Sequence, residues 1–182
     1  WMGGASMAQN GVICNPNIPS EEVFTTPHAL RVEGYVSSTK PLSHQGTLID
    51  NIRVVFEKGS ITDAKASKGE TVLKKVLESD EGARRLGEVA LVPNSSPISN
   101  SGLLFYNTLF DENAACHIAL GQCYSKCFKG EKNLSMSEIS ERGGNSSMIH
   151  IDWMIGSGEI DIDGFGKSGE IVPIFRKGEW VD

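Results

Sequence analysis

Four short stretches of this sequence combine side chains that can do chemistry. One is Met148-Ile149-His150-Ile151-Asp152-Trp153-Met154. Alternate side chains of a strand share a face, so His150 and Asp152 point the same way, with Met148 and Met154 beside them. Ile149, Ile151, Trp153 and Ile155 then face the core. A His-x-Asp pair in a dry setting suits a metal ion, and a hydrogen-bonded His–Asp pair without metal fits the same motif.

Glu88 lies in Leu86-Gly87-Glu88-Val89-Ala90-Leu91-Val92. A carboxylate inside an apolar strand is costly unless it is paired, protonated or bound to metal. An ion pair with Arg84 or Arg85 is the plain alternative. Asp111 reads as the cap of a helix running to about Phe128. On that helix His117 and Tyr124, seven apart, fall within about 20° of one another, with Gly121 leaving room between them. A core histidine and a core tyrosine are the competing reading. Glu21-Glu22 follows Pro19-Ser20, as a helix-start signal or as further ligands.

Together, Glu22, Glu88 and Asp152 with His117 and His150 are the groups a two-metal hydrolytic site uses. Two divalent ions balance three carboxylates and one bridging hydroxide. Such ions sit roughly 3.5–4 Å apart and acidify the water they share. Oxygen and nitrogen donors suit Zn²⁺, Co²⁺ or Mn²⁺. Cys116, His117, Cys123 and Cys127 offer a rival, structural zinc site. They lack paired Cys-x-x-Cys knuckles, and buried small hydrophobes explain these cysteines as well.

The elements that must position these groups are short. Asn15-Pro16-Asn17 and Ile18-Pro19 are turn signals. Strands are expected at about Ala29–Ser38, Gly46–Glu57 and Ser60–Ala66, with Lys58-Gly59 as a tight turn. Val72, Leu73, Val76 and Leu77 mark a surface helix over Lys68–Ser79. A helical turn at Asp80–Leu86 leads into a strand at Gly87–Val92. Pro93–Gly102 reads as a polar loop and Lys129–Gly144 as a polar stretch. Strands follow at Ser147–Gly156, Ile160–Asp163 and Glu170–Phe175. The fold class is α+β, strand-rich, with an antiparallel sheet and two to three helices.

The chain of 182 residues suits one domain, with 39% hydrophobic and 22% charged residues. Its 17 basic and 23 acidic side chains leave a formal charge of −6. That argues against nucleic acid or an anionic membrane as partner. No apolar run approaches the roughly 20 residues that span a bilayer. Trp1-Met2-Gly3-Gly4 has neither a charged n-region nor an apolar h-region, so no signal peptide is expected. A first residue of Trp reads as a piece of a longer chain. The cysteine spacing is poor for disulfides, which points to a reduced, cytoplasmic protein.

The stretches Asn15–Pro27, Arg85–Val92, Thr108–His117 with Ala119-Leu120-Gly121 and Tyr124, and Asn145-Ser146-Ser147 leading into His150–Gly156 carry a resemblance. On them the chain resembles the C-terminal, metal-binding part of the thermophilic-type metallo-aminopeptidases, the aminopeptidase T and aminopeptidase S family. The resemblance runs nearly end to end here, over about the second half of a family member. Ser20, Ile151 and Trp153 depart from the usual Thr, Val and Phe and leave the ligands intact. It implies that residues 1–182 form the catalytic domain of a longer aminopeptidase whose N-terminal domain is absent here. Glu22, Glu88, His117, His150 and Asp152 would hold two divalent metals, with Glu88 bridging, Tyr124 nearby and Glu21 the runner-up to Glu22. A bridging hydroxide would attack the scissile carbonyl, Glu88 or Glu21 would relay the proton, and Tyr124 would stabilise the oxyanion. The implied substrates are peptides with a free N-terminus, and the implied assembly is a homodimer. A metal-binding fragment without turnover is the competing outcome for the isolated chain.

Overall fold

The computed structural model describes residues 1–15, 18–130 and 134–182. The turn expected at Asn15-Pro16-Asn17 therefore lies largely outside the described residues. The central element is a four-stranded antiparallel sheet. Its spatial order is His150–Met154, His117–Gly121, Leu86–Leu91 and Val23–Thr25. At the Val23–Thr25 edge, Met2 and Phe24 exchange two backbone hydrogen bonds, so the N-terminal arm extends that edge.

One face of this sheet is core. Ile118, Leu120 and Trp153 cluster with Val54, Phe56 and Ile61 of a second sheet, Gly34–Ser37, Arg53–Glu57 and Ser60–Lys65. Leu73 and Leu77 of the helix Glu70–Leu77 complete the cluster. The Lys58-Gly59 turn has φ of 49° and 79°, the paired left-handed conformation that matches strand twist. A Cβ on Gly59 would lie 1.8 Å from the Ala29 carbonyl oxygen, so only glycine fits. A hairpin, Leu42–His44 with Thr47–Ile49, lies beside the His150–Met154 strand, and a third sheet of Ile162–Phe165, Ile171–Arg176 and Glu179–Trp180 closes the chain.

The α+β, strand-rich class holds, with four α-helices among the described residues in place of two or three. Three of them are short: Pro97–Ser101, Thr108–Asp111 and Met136–Glu141. The first interrupts the expected Pro93–Gly102 loop and carries its own signals, a Ser96 cap, Pro97 at the first turn and left-handed Gly102 after the end. The last stands on a Ser135–Glu138 capping box. The expected Gly46–Glu57 strand is broken in two at Asp50-Asn51, where Asn51 has a φ of 50°.

The Asp111–Phe128 helix is not formed. Asn107 caps Thr108–Asp111, a 3₁₀ turn covers Glu112–Ala114, and the chain then runs extended through His117–Gly121. Asp111 instead accepts the N–H groups of Phe105 and Asn107, at 2.7 and 3.0 Å. The reason is burial: His117–Gly121 is buried throughout as an inner strand. An apolar run buried on both faces shows neither a helical nor a strand period. Gly121 does not make room for a ligand either. Its φ is 99°, and a Cβ there would meet the Ile149 carbonyl oxygen at 2.1 Å.

Candidate metal centre

The second face of the central sheet carries the polar groups. Ala119 pairs with Glu88 on one side and Asp152 on the other, so two carboxylates flank a methyl group across three strands. His117 lies opposite Ala90 and Met154, and His150 opposite Gly121. The small Ala90, Ala119 and Gly121 leave the space above the sheet to the longer acidic and imidazole side chains. A register shift at Gly87 lets Leu86 face the core while Glu88 faces the site. Glu22 precedes the edge strand, and its segment is tethered by Glu21 N–H donating to buried Asn113 Oδ1 at 2.7 Å.

All five expected ligand residues meet here. Glu22 Oε2 approaches His117 Nε2 at 3.0 Å. His150 Nε2 lies 3.2 Å from Glu88 Oε2 and 3.5 Å from Asp152 Oδ1. Three overlapping triads offer donor atoms within 4.8 Å of one another: Glu22, Glu88 and His117; Glu88, His150 and Asp152; Glu112, His117 and Asp152. Glu88 belongs to the first two triads and sits between them. Glu21 is in none of them. Among the described residues no arginine pairs with Glu88; Arg84 and Arg85 donate to backbone carbonyls.

Each imidazole is held by a backbone carbonyl. His117 Nδ1 contacts the Ala115 oxygen at 3.1 Å, and His150 Nδ1 the Gln122 oxygen at 2.7 Å. A carbonyl only accepts, so both Nδ1 atoms carry the proton and a neutral ring turns its Nε2 lone pair to the carboxylates. Both Nε2 atoms and Glu22 Oε2 are buried without an aligned hydrogen bond. Lone pairs facing carboxylate oxygens at 3.0–3.5 Å repel unless positive charge lies between them. A divalent cation meets that need, and oxygen and imidazole donors are its usual ligands.

Without a cation, protons take that place. Burial disfavours charged His117 and His150, but the surrounding carboxylates outweigh it and raise them to about 9 and about 10. Burial, reinforced by Asp152, lifts Glu88 above the usual carboxylate range against the pull of His150. Burial and the Asp152 charge push Glu112 up to about 8. Tyr124 stays a phenol because burial and the four acids raise it well above its ordinary value.

Tyr124 lies just beyond His117–Gly121 and stacks edge-on against His150, with ring centroids 4.9 Å apart; Phe24 flanks its other side at 5.3 Å. Its backbone and Thr26 exchange two hydrogen bonds. Met154 is buried as expected, whereas Met148 is 81% exposed and does not shield the site. Cys116 and Cys123 are buried, Cys127 partly so, and no candidate metal group among the described residues includes a cysteine. Cys116 Sγ instead exchanges hydrogen bonds with the Val92 backbone.

Sequence reading missed Glu112, Asn113 and Asn145. Glu112 is 6% exposed and shares a triad with His117. Its signal is an acid and an amide placed directly before an apolar run. Asn145 donates to the Gly82 and Gly121 carbonyls at 2.8 and 2.6 Å, tying the turn before Glu88 to the end of the His117 strand.

A family model described as thermophilic metalloprotease (M29) matches residues 1–180. Aminopeptidase T of Thermus aquaticus is 54% identical over 181 residues, covering all of this chain and 44% of that protein. Aminopeptidase 2 of Geobacillus stearothermophilus is 53% identical and aminopeptidase AmpS of Bacillus subtilis 51%, with the same coverage. The solved structure of wild-type AmpT from Thermus thermophilus superposes with a TM-score of 0.94 at 52% identity, over all of this chain and 45% of that one. The chain thus spans a little under half the length of the curated relatives it matches. It belongs to the thermophilic metalloprotease (M29) family.

Proposed function

We propose that this chain is the C-terminal, metal-binding catalytic part of an aminopeptidase that removes the N-terminal residue of peptides with the help of two divalent cations. The observation that carries the reading is the pair of backbone-pinned imidazoles whose buried Nε2 atoms face carboxylates without an aligned hydrogen bond. Glu22, Glu88, Glu112 and Asp152 carry four negative charges once ionised, which two divalent cations neutralise. Glu88 would be shared between a Glu22–His117 side and a His150–Asp152 side, and Glu112 would add a sixth donor next to His117 and Asp152.

Cations held there, whether Zn²⁺, Co²⁺ or Mn²⁺, supply Lewis-acid polarisation of the scissile carbonyl and a water acidified toward neutrality. The chain's own groups do the rest. The Ala115 and Gln122 carbonyls fix both ring orientations. Glu88, inside the cluster, is placed to handle the proton, whereas Glu21 belongs to none of the triads. The Tyr124 hydroxyl, kept protonated, donates to the developing oxyanion.

The resemblance further supports a cytoplasmic homodimer. Free cysteines suit a reducing compartment. No helix among the described residues is long and apolar enough to cross a membrane.

Metal analysis combined with an aminoacyl-p-nitroanilide assay tests the reading. About two ions per chain and turnover that is lost to a chelator and regained with metal support it. Metal without turnover identifies a binding fragment that depends on the rest of the protein. One zinc that survives Glu88→Gln contradicts the assignment.

A further inference from the structure

The cavity above the metal centre holds about 710 Å³ and is walled by the N-terminal arm, Phe24, His44, Leu109 and the Tyr124–Lys126 turn. Among the described residues Lys126 is the one lysine or arginine that lines it, in a cavity that also holds Glu22, Glu88, Glu112 and Asp152. It follows Tyr124 in the 3₁₀ turn Ser125–Cys127. Among the described residues no carboxylate lies within 4.0 Å of its ammonium. Its hydrogen bond goes to the neutral Ser6 hydroxyl, at 3.4 Å. A cation on the wall of a substrate cavity is thus left with a weak, uncharged partner.

We infer that Lys126 receives the C-terminal carboxylate of di- and tripeptide substrates and so gives the site a preference for short peptides. The inference rests on the aminopeptidase reading above. A sphere of the cavity's volume is about 11 Å across. An extended dipeptide or tripeptide spans roughly 7–10 Å at 3.3–3.6 Å per residue. With its amine at the metal centre, such a peptide is long enough to bring its carboxylate to the part of the cavity wall that carries Lys126. A flexible four-carbon stem with a compact charge follows that carboxylate over more than one peptide length. A longer peptide has an uncharged amide at that point and gains nothing from the ammonium.

The experiment compares Leu-Gly and Leu-Gly-Gly with their C-terminal amides on the metal-loaded chain, reading the acid-to-amide ratio of kcat/KM. Calorimetric binding of a reduced-amide (CH2–NH) Leu-Gly analogue, as acid and as C-terminal amide, gives a second readout without turnover. The native chain is expected to favour the acid about fivefold in both, about 1.6 RT of charge recognition at a partly exposed site. Lys126→Met brings both ratios to about one, and Lys126→Glu inverts them. Equal ratios in the native chain, or a preference that survives Lys126→Met, overturns the inference. A preference for Asp at the second position that persists in amides overturns it in favour of side-chain recognition. Failure of the metal-loaded native chain to hydrolyse acid and amide alike marks a fragment that depends on the rest of the protein for turnover, and the analogue's binding ratio then still decides the role of Lys126.

Discussion

His150 turns Nε2 toward Glu88 Oε2 at 3.2 Å while the Gln122 carbonyl holds its Nδ1 at 2.7 Å. The ring cannot rotate away without giving up that hydrogen bond, so the pair is preset for a shared cation. Glu88→Gln replaces the shared carboxylate with a neutral amide of the same shape. Metal content and activity are expected to fall together, with the fold intact by circular dichroism. A Glu88→Gln chain that retains its metal contradicts the shared-ligand role.

Tyr124 stands beside the cluster, with its ring against His150 and Phe24. Tyr124→Phe keeps that packing and deletes one donor. The variant should keep its metal and KM and lose kcat by about 10²-fold, the usual cost of an oxyanion donor. Full activity at full metal loading removes the hydroxyl from the mechanism.

Ala119 is fully buried, with Glu88 and Asp152 as its cross-strand neighbours on the site face. Ala119→Leu puts a branched side chain where the two carboxylates converge. Elemental analysis should find metal binding lost, while Ala119→Gly, which adds no bulk, still binds. Undiminished metal in the leucine variant places the ions elsewhere.

Asn113 is expected to act through Glu22, because its Oδ1 accepts the Glu21 N–H. Asn113→Ala should weaken metal binding by about 10–100-fold, in the range for groups that orient ligands. Asn113→Asp keeps the acceptor and should recover most of the affinity. No change in a metal titration of the alanine variant would show that the edge segment positions Glu22 unaided.

Asp80 sets a pH dependence away from the metal centre. Its carboxylate accepts the Met148 N–H at 2.6 Å, the Ser147 hydroxyl at 2.9 Å and the Ala83 N–H at 2.9 Å. The Met148 bond first, then Ser147 and Ala83, hold it below its ordinary 3.8 despite some desolvation. A depressed carboxylate stabilises the fold fully above its unfolded value and loses that contribution as pH falls through the folded one. Asp80→Asn should therefore lower Tm most at neutral pH, and the gap should narrow below about pH 4. A gap that is constant with pH excludes the charge as its source.

The candidate site was more legible than the elements that carry it. His150 and Asp152 announce a strand by alternation with Ile151 and Trp153, and that strand forms as expected. Glu88 stands out because its neighbours are apolar. The sequence puts His117 on a helix because Ala114–Leu120 is apolar on every side, and only the flanking strands select the extended form. Tyr124, which the sequence puts on one helix face with His117, instead packs against His150 from the segment after Gly121. Glu112 was hidden for the same reason: on a helix it would cap, whereas on a 3₁₀ turn ahead of a buried strand it is carried into the site. The buried Asn145 amide could not be read at all, because its two acceptors are backbone atoms of distant segments.

The central claim is that six side chains, from Glu22 to Asp152, converge on bound metal. A crystal of the metal-loaded chain, with anomalous difference maps recorded at the absorption edge of the bound element, tests it most directly. The account predicts two peaks roughly 3.5–4 Å apart, both within coordination distance of Glu88 and shared among Glu22, Glu112, His117, His150 and Asp152. Peaks at the cysteines, or none among these six residues in a chain that still hydrolyses peptides, would contradict it.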